Sequence, residues 1–399
     1  MRGVESSSES HRSRLSAARR EGERVTPLEL FFDLVFVLAI TQCTAAMAHH
    51  PTWEGMVQGL LILGVLWWAW VGYAWLTSVI DPEQGAIRLL IFAAMAAMLI
   101  ASLCVPEAFN NLGLAFALAI GIFRTLHIAL FVLASPDDPD LRRSVISLGI
   151  STAIGCGVLA AASAFDGTTQ AALWVLALVL DMGGPYFFGT EGWRLVPRHF
   201  AERHGLVMII ALGESIVAIG AGAAGHLDFG IGVAAVLGVG IAAGLWWIYF
   251  DLVALVSAQR LADAPKGRVQ NALARDSYSY IHLLLVAGVV LTAYGLKSVI
   301  GHTGEHLHDV QAFALLGGPA IYLLGLVGFR LRHVRTLNRH RLGLSVLLLA
   351  LFPAATQFPA LFAQAVVFAL LWVMIAIELR GYDERRDRLR DEYSVAHAD

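Results

Sequence analysis

Charge is what this chain has least of. Only 15% of its 399 residues are Asp, Glu, Lys or Arg, where water-soluble domains run nearer a quarter. Hydrophobic residues make up 57% and mean hydropathy is +0.67, which excludes a soluble globular protein and points to a polytopic membrane protein. Cysteine is scarce too: Cys43, Cys104 and Cys156 each lie in or at the edge of an apolar run, without a CxxC. That excludes a disulfide framework and leaves buried free thiols. The first 25 residues are rich in Ser, Arg and Glu and lack an apolar core, which excludes a cleavable signal peptide and predicts a disordered cytoplasmic tail. No P-loop, GxSxG, HExxH or dinucleotide fingerprint is visible, so no cofactor or resident metal is expected.

What is present is a series of apolar stretches long enough to cross about 30 Å of hydrocarbon. They fall at 27–48, 57–79, 86–105, 112–134, 144–164, 170–188, 204–224, 229–257, 277–298, 312–332, 342–356 and 359–379. The eleventh is short, with Pro353 and Pro359 marking the turn into the last. Of the 28 Lys and Arg, 26 fall in the two tails and in alternate loops; only Lys297 and Arg124 do not. By the excess of cations in cytoplasmic loops, the expectation is an all-α inner-membrane protein of twelve helices, multi-pass, with both termini cytoplasmic. That topology accounts for the basic loops, so nucleic-acid binding has no support.

The two halves resemble each other. Leu34-Val-Phe-Val-Leu-Ala-Ile matches Leu206-Val-Met-Ile-Ile-Ala-Leu, Leu66-Trp-Trp matches Leu245-Trp-Trp, and Phe123-Arg-Thr-Leu-His127 matches Phe329-Arg-Leu-Arg-His333. Each match alone is what leucine-rich helices produce by chance. Three in corresponding spans and in one order favour a duplication. Repeats with an even number of spans run parallel. The domains expected are a tail over 1–25, one six-helix repeat over 26–190, a second over 191–380 and a charged tail over 381–399.

Ionisable residues inside spans are costly and usually functional. Glu29 and Asp33 share one face of the first span, four residues apart; Glu202 and His204 open the seventh, with Glu214 deeper. Asp181 and Asp251 lie toward the ends of spans six and eight, and Arg124 near the middle of span four. Arg124 needs an acid from another helix, and Asp33, Glu214 and Asp181 are the candidates. Structural ion pairing is the competing reading, strongest for Glu29 and Glu202 near span ends, where charges snorkel cheaply. Asp181-Met-Gly-Gly-Pro185 either interrupts span six, as in transporters, or kinks a helix end. His302-Thr-Gly-Glu-His306-Leu-His308-Asp309 has ligand-type residues but no second cluster, so a solvated loop is expected over a metal site. The Trp67–Trp70 and Trp246–Trp247 groups fall inside spans, where packing is expected.

Glu29-Leu-Phe-Phe-Asp-Leu-Val-Phe-Val-Leu-Ala-Ile-Thr-Gln42 and Glu202-Arg-His-Gly-Leu-Val-Met-Ile-Ile-Ala-Leu-Gly-Glu-Ser-Ile-Val-Ala-Ile-Gly220 resemble the two hallmark motifs of the bacterial low temperature requirement A (LtrA) family. Trp246-Trp-Ile-Tyr-Phe-Asp251 resembles a third. The similarity runs from about residue 24 to 380. It implies a multi-spanning protein tied to growth in the cold, whose molecular activity is unsettled, and it marks Glu29, Asp33, Glu202, Glu214 and Asp251 as motif acids.

The leading expectation is therefore transport or conduction of a small ion or solute, with proton coupling as one form of it. Asp33 and Glu214 would bind the cation or proton and Arg124 would supply counter-charge. The alternatives are an enzyme acting on a lipid or isoprenoid headgroup through the acids with His204 or His282, and a membrane sensor or scaffold. Partners would be the lipid bilayer and a small ion or solute; homo-oligomer formation stays open.

Overall fold

In the computed structural model the described residues are 24–83, 85–134, 139–187, 192–223, 225 and 227–395, with side chains as far as Arg380. The expected tails at 1–25 and 381–399 therefore lie almost wholly outside the described side chains. Among the described residues every named element is helical, and bridge pairing is confined to Ile80 and to His306 with Pro359. The helices are α1 (Pro27–His49), α2 (Trp53–Thr77), α3 (Gly85–Cys104), α4 (Gly113–Ala134), α5 (Pro139–Ala162), α6 (Gly167–Phe187) and α7 (Pro197–Ala223). They continue with α8 (Phe229–Phe250), α9 (Val253–Ala262), α10 (Arg268–Ala274), α11 (His282–Gly301), α12 (Asp309–Val334), α13 (Arg339–Ala355) and α14 (Ala360–Val395).

Among the described residues, eleven helical stretches are long and apolar enough to cross a membrane, α8 with α9 and α10 with α11 each forming one. The short span expected over 342–356 is α13, of 17 residues. Local chemistry sets the ends. Thr26 caps α1 in a capping box: its hydroxyl accepts from the Glu29 amide, and the Glu29 carboxylate accepts from the Thr26 amide at 2.9 Å. Pro27 then occupies the first turn, where its missing N–H costs nothing. A π-helical segment, Arg275–Ile281, joins α10 to α11.

The outside of the bundle is apolar, with Leu89, Ile150, Ile154, Ile216 and Val236 exposed. The inside holds the charges: Glu29, Asp33, Arg124 and Arg203 are all buried. This is the reverse of a soluble fold, and it is what a hydrocarbon solvent selects. α2, α11 and α12 are the most enclosed spans. α11 and α12 meet through glycine: a Cβ on Gly288 would lie 2.6 Å from the Tyr322 amide nitrogen, and one on Gly318 2.6 Å from that of Thr292. Such backbone contact is the usual way helices associate where lipid removes the hydrophobic drive. α2 is tied down by its indoles, Trp67 donating to the Ser279 carbonyl at 2.7 Å and Trp75 to the Ser279 hydroxyl at 3.0 Å. Trp67, Trp68 and Trp70 are buried, as their placement inside a span predicts, and Trp67 with Trp75 pins the π segment; Trp246, expected to pack inside, is instead exposed on α8.

α6 runs unbroken through Pro185 to Phe187, so the Asp181–Pro185 stretch does not interrupt it. Carbonyls near its end are met by the π segment instead: Tyr280 donates to the Met182 carbonyl and Arg275 to that of Pro185 at 3.3 Å.

Candidate functional site

α7 starts at Pro197, about two turns before the span expected from residue 204. This corrects the sequence reading of Arg203 as a loop cation. His199 and Arg203, four residues apart on α7, form one stripe, and Glu29 and Asp33 form the matching stripe on α1. Arg203 Nη2 donates to Asp33 Oδ1 at 2.9 Å, and Nη1 lies 3.4 Å from Glu29 Oε1. His199 Nε2 is 2.9 Å from the same Glu29 oxygen, and its Nδ1 is 3.2 Å from the Ser78 hydroxyl. Trp70 of α2 closes the group, donating to Asp33 Oδ1 at 2.9 Å with the Arg203 guanidinium 5.6 Å from its ring centre. All four ionisable residues are at most 1% exposed. Among the described residues, Asp33 Oδ2 has no hydrogen-bond partner.

α1 and α7 run parallel. The two contacts at 2.9 Å each link residues 170 apart, and farther along the Thr41 hydroxyl donates to Glu214 Oε2, a pair 173 apart. Thr44 is also within reach of that carboxylate, and Lys297 of α11 acts on it through its charge. From Asp33 to Thr41 is eight residues, or about 12 Å of helix at 1.5 Å per residue. Asp33 and Glu214 thus occupy one seam at two depths and do not touch the same point.

Arg124 has its acid in Asp181. Its Nη2 donates to Asp181 Oδ1 at 2.9 Å and to Thr152 Oγ1 at 2.8 Å, while the Thr152 hydroxyl donates to the same Asp181 oxygen at 2.8 Å. The triangle joins α4, α5 and α6. Gly72 lets α2 approach it, since a Cβ there would meet Arg124 Nη1 and His127 Cε1 at 2.7 Å. A cavity of about 40 Å³ lies beside it, lined by Trp68, Arg124, His127, Pro185 and Arg275 among others.

The other candidates scatter. Glu202 is exposed on the flank of α7. His204 is sealed beyond Trp70, its Nδ1 2.8 Å from the Phe200 carbonyl and its ring 5.2 Å from that of His282. His282 in turn meets the Tyr249 hydroxyl at 2.9 Å. Asp251 caps α8 and borders a second cavity. The loop with His302, His306 and His308 is spent on backbone: its Glu305 carbonyl accepts from the Ala360 amide at 2.8 Å, and His302 Nδ1 lies 2.9 Å from the Ser298 carbonyl. His199 and Arg203 are the residues that sequence reasoning missed. Their spacing, the same as that of Glu29 and Asp33, was the available signal.

Buried ion pairs inside an apolar exterior define a multi-pass helical membrane protein. The sequence profile of the bacterial low temperature requirement A protein (LtrA) matches residues 24–376, and the chain belongs to that family. It is 28% identical over 393 residues, covering 94% of each chain, to an uncharacterized protein of Rhizobium meliloti (strain 1021). No solved structure matches it.

Proposed function

We propose that the protein transports or conducts a small ion or solute, coupled to protons, along the seam between α1 and α7. One observation carries this reading: among the described residues the buried carboxylate oxygen Asp33 Oδ2 has no hydrogen-bond partner, although Asp33 Oδ1 is held by Arg203 and Trp70. An unmatched acceptor at a fully buried place is expensive. A proton or a monovalent cation at Asp33 Oδ2 satisfies it. That oxygen gives the seam a place to bind and release a positive charge. Glu214 is the second station on the same seam, held by hydroxyls and balanced by Lys297. Arg124, already satisfied by Asp181, acts as a strut for α4–α6 in this scheme.

The seam belongs to an arrangement of two parallel repeats. Supporting that reading, α1 packs on α2 and α3 as α7 packs on α8 and α11; α3 meets α4 as α11 meets α12; and α2 meets α6 as α8 meets α14. Two parallel first helices at the centre are what a pseudo-twofold axis along the membrane normal would produce. With the cation-rich loops on the cytoplasmic side, Glu29 and Asp33 lie toward the cytoplasm of the inner membrane and Glu214 farther out. The enzyme alternative needs His204 or His282 open to a headgroup, and both are fully buried.

The test is purified protein in liposomes under imposed proton, potassium or sodium gradients. Flux should appear for one of them and fall at least tenfold in Asp33→Asn and in Glu214→Gln. Flux unchanged in both variants, or absent for every gradient, refutes the assignment.

A further inference from the structure

A cavity of about 400 Å³ opens at the basic end of the bundle among α8, α9, α12, α13 and α14. That is within the size range of small-molecule sites. One wall is apolar, formed by Trp247, Ile248, Ile375 and Leu379; the other carries Arg260, Arg330 and Arg341 against Asp251 and Glu378. The cations are not equivalent. Arg341 is closed by a two-pronged pair with Glu378, Nε and Nη2 each donating at 3.0 Å, and Asn338 adds a third bond to that carboxylate at 2.8 Å. Arg330 uses only Nε, donating to Thr336 Oγ1 at 2.9 Å, which leaves the terminal fork of its guanidinium available. Among the described residues neither Arg330 nor Arg260 has a carboxylate within ion-pair distance.

The cavity beside Arg124 is an internal comparison. It lies among α2, α4, α5 and α6, which correspond to α8, α12, α13 and α14 in the proposed repeat, and Trp68 and Arg124 lining it correspond to Trp247 and Arg330. There the acid of the sixth helix, Asp181, takes the arginine of the fourth, and about 40 Å³ remains. Here the acid of the last helix, Glu378, is taken by α13, and the arginine of α12 stays unclaimed over ten times the volume.

We propose that this cavity binds an amphiphile with a phosphate-bearing anionic head. The head seats on Arg330 and Arg260, and the apolar chain lies along Trp247, Ile248, Ile375 and Leu379. A planar guanidinium fork suits phosphate oxygens, and basic pockets between spans are where anionic lipid heads lodge. The assignment stands apart from the transport reading, since no residue of the α1–α7 seam lines the cavity.

Native mass spectrometry of the detergent-purified full chain, offered equimolar phosphatidylglycerol and phosphatidylcholine with identical acyl chains, tests it. The wild type should retain phosphatidylglycerol in preference. The double variant R260Q/R330Q should lose that preference at least tenfold, and R330K, which keeps the charge but not the fork, by less. R339Q, an exposed cation on α13 outside the cavity, should behave as wild type. Normal elution on gel filtration shows that each variant is folded. Equal retention of the two lipids by the wild type, or undiminished phosphatidylglycerol retention by the double variant, overturns the proposal. Inorganic pyrophosphate, tested alone, separates the sources: if it binds while phosphatidylglycerol is not preferred, the ligand is a free anion and the amphiphile is overturned.

Discussion

Replacing Arg203 with methionine keeps an unbranched apolar stem and deletes the charge that Glu29 and Asp33 share. Arg203 touches Asp33 at 2.9 Å and Glu29 at 3.4 Å, all three at most 1% exposed. Unit charges 4 Å apart at an effective dielectric of about 20 attract by about 4 kcal/mol, and stripping one partner from a buried pair costs about 3–5 kcal/mol. Uncharged hydrogen bonds between membrane helices average only about 0.6 kcal/mol and reach about 1.7. The two classes are therefore separable by magnitude. R203M should destabilise the protein by about 3–5 kcal/mol, which at about 1.4 kcal/mol per tenfold is a drop of roughly 10²–10⁴ in the folded-to-unfolded ratio. The assay is reversible unfolding in mixed micelles, followed by tryptophan fluorescence. D33N alone should also be costly, because it removes Arg203's closer carboxylate. The double variant R203M/D33N should cost less than the sum of the two, with a coupling of about 1–3 kcal/mol. A loss below about 1 kcal/mol for R203M, or strict additivity in the cycle, would refute the idea that this cluster is a coupled buried ion pair.

Three smaller perturbations probe other joints. D181N should cost about 3–5 kcal/mol by leaving Arg124 buried without an anion, and T152V about 1–3 kcal/mol by removing one hydrogen-bond partner; the reverse order in the same unfolding assay would contradict the triangle. G288V should abolish folded protein on gel filtration, because its Cβ would stand 2.6 Å from the backbone of α12; a normal elution profile would mean that α11 and α12 do not meet there. T26A should weaken the start of α1 by about 0.5–2 kcal/mol, read as faster amide hydrogen exchange over residues 27–32 with the rest of the bundle unchanged.

The helical architecture was legible because its cause is local. Long apolar runs forced helices, and every expected span has a helix, down to the short α13. The burial of Trp67, Trp68 and Trp70 also lay within reach of span order, whereas three partners stayed open for Arg124 until the fold brought Asp181 to it. The start of α7 did not. His199 and Arg203 lie in a polar stretch that hydropathy discards, and they become part of a span only because Glu29 and Asp33 neutralise them from α1. The role of Glu29 divides in the same way: the capping box with Thr26 is a local pattern, while its contacts to His199 and Arg203 are not.

By itself, then, the sequence determined a multi-pass all-α membrane protein, its family, and which few residues would be costly to bury. Tertiary structure decided who meets whom. It split Asp33 and Glu214 between two depths of one seam, assigned Arg124 to Asp181, and left Arg330 unclaimed beside a 400 Å³ cavity. The physical reason is that a charge in hydrocarbon is settled by its nearest opposite charge. Here that partner comes from a helix 57 or 170 residues away, at a distance no local pattern encodes.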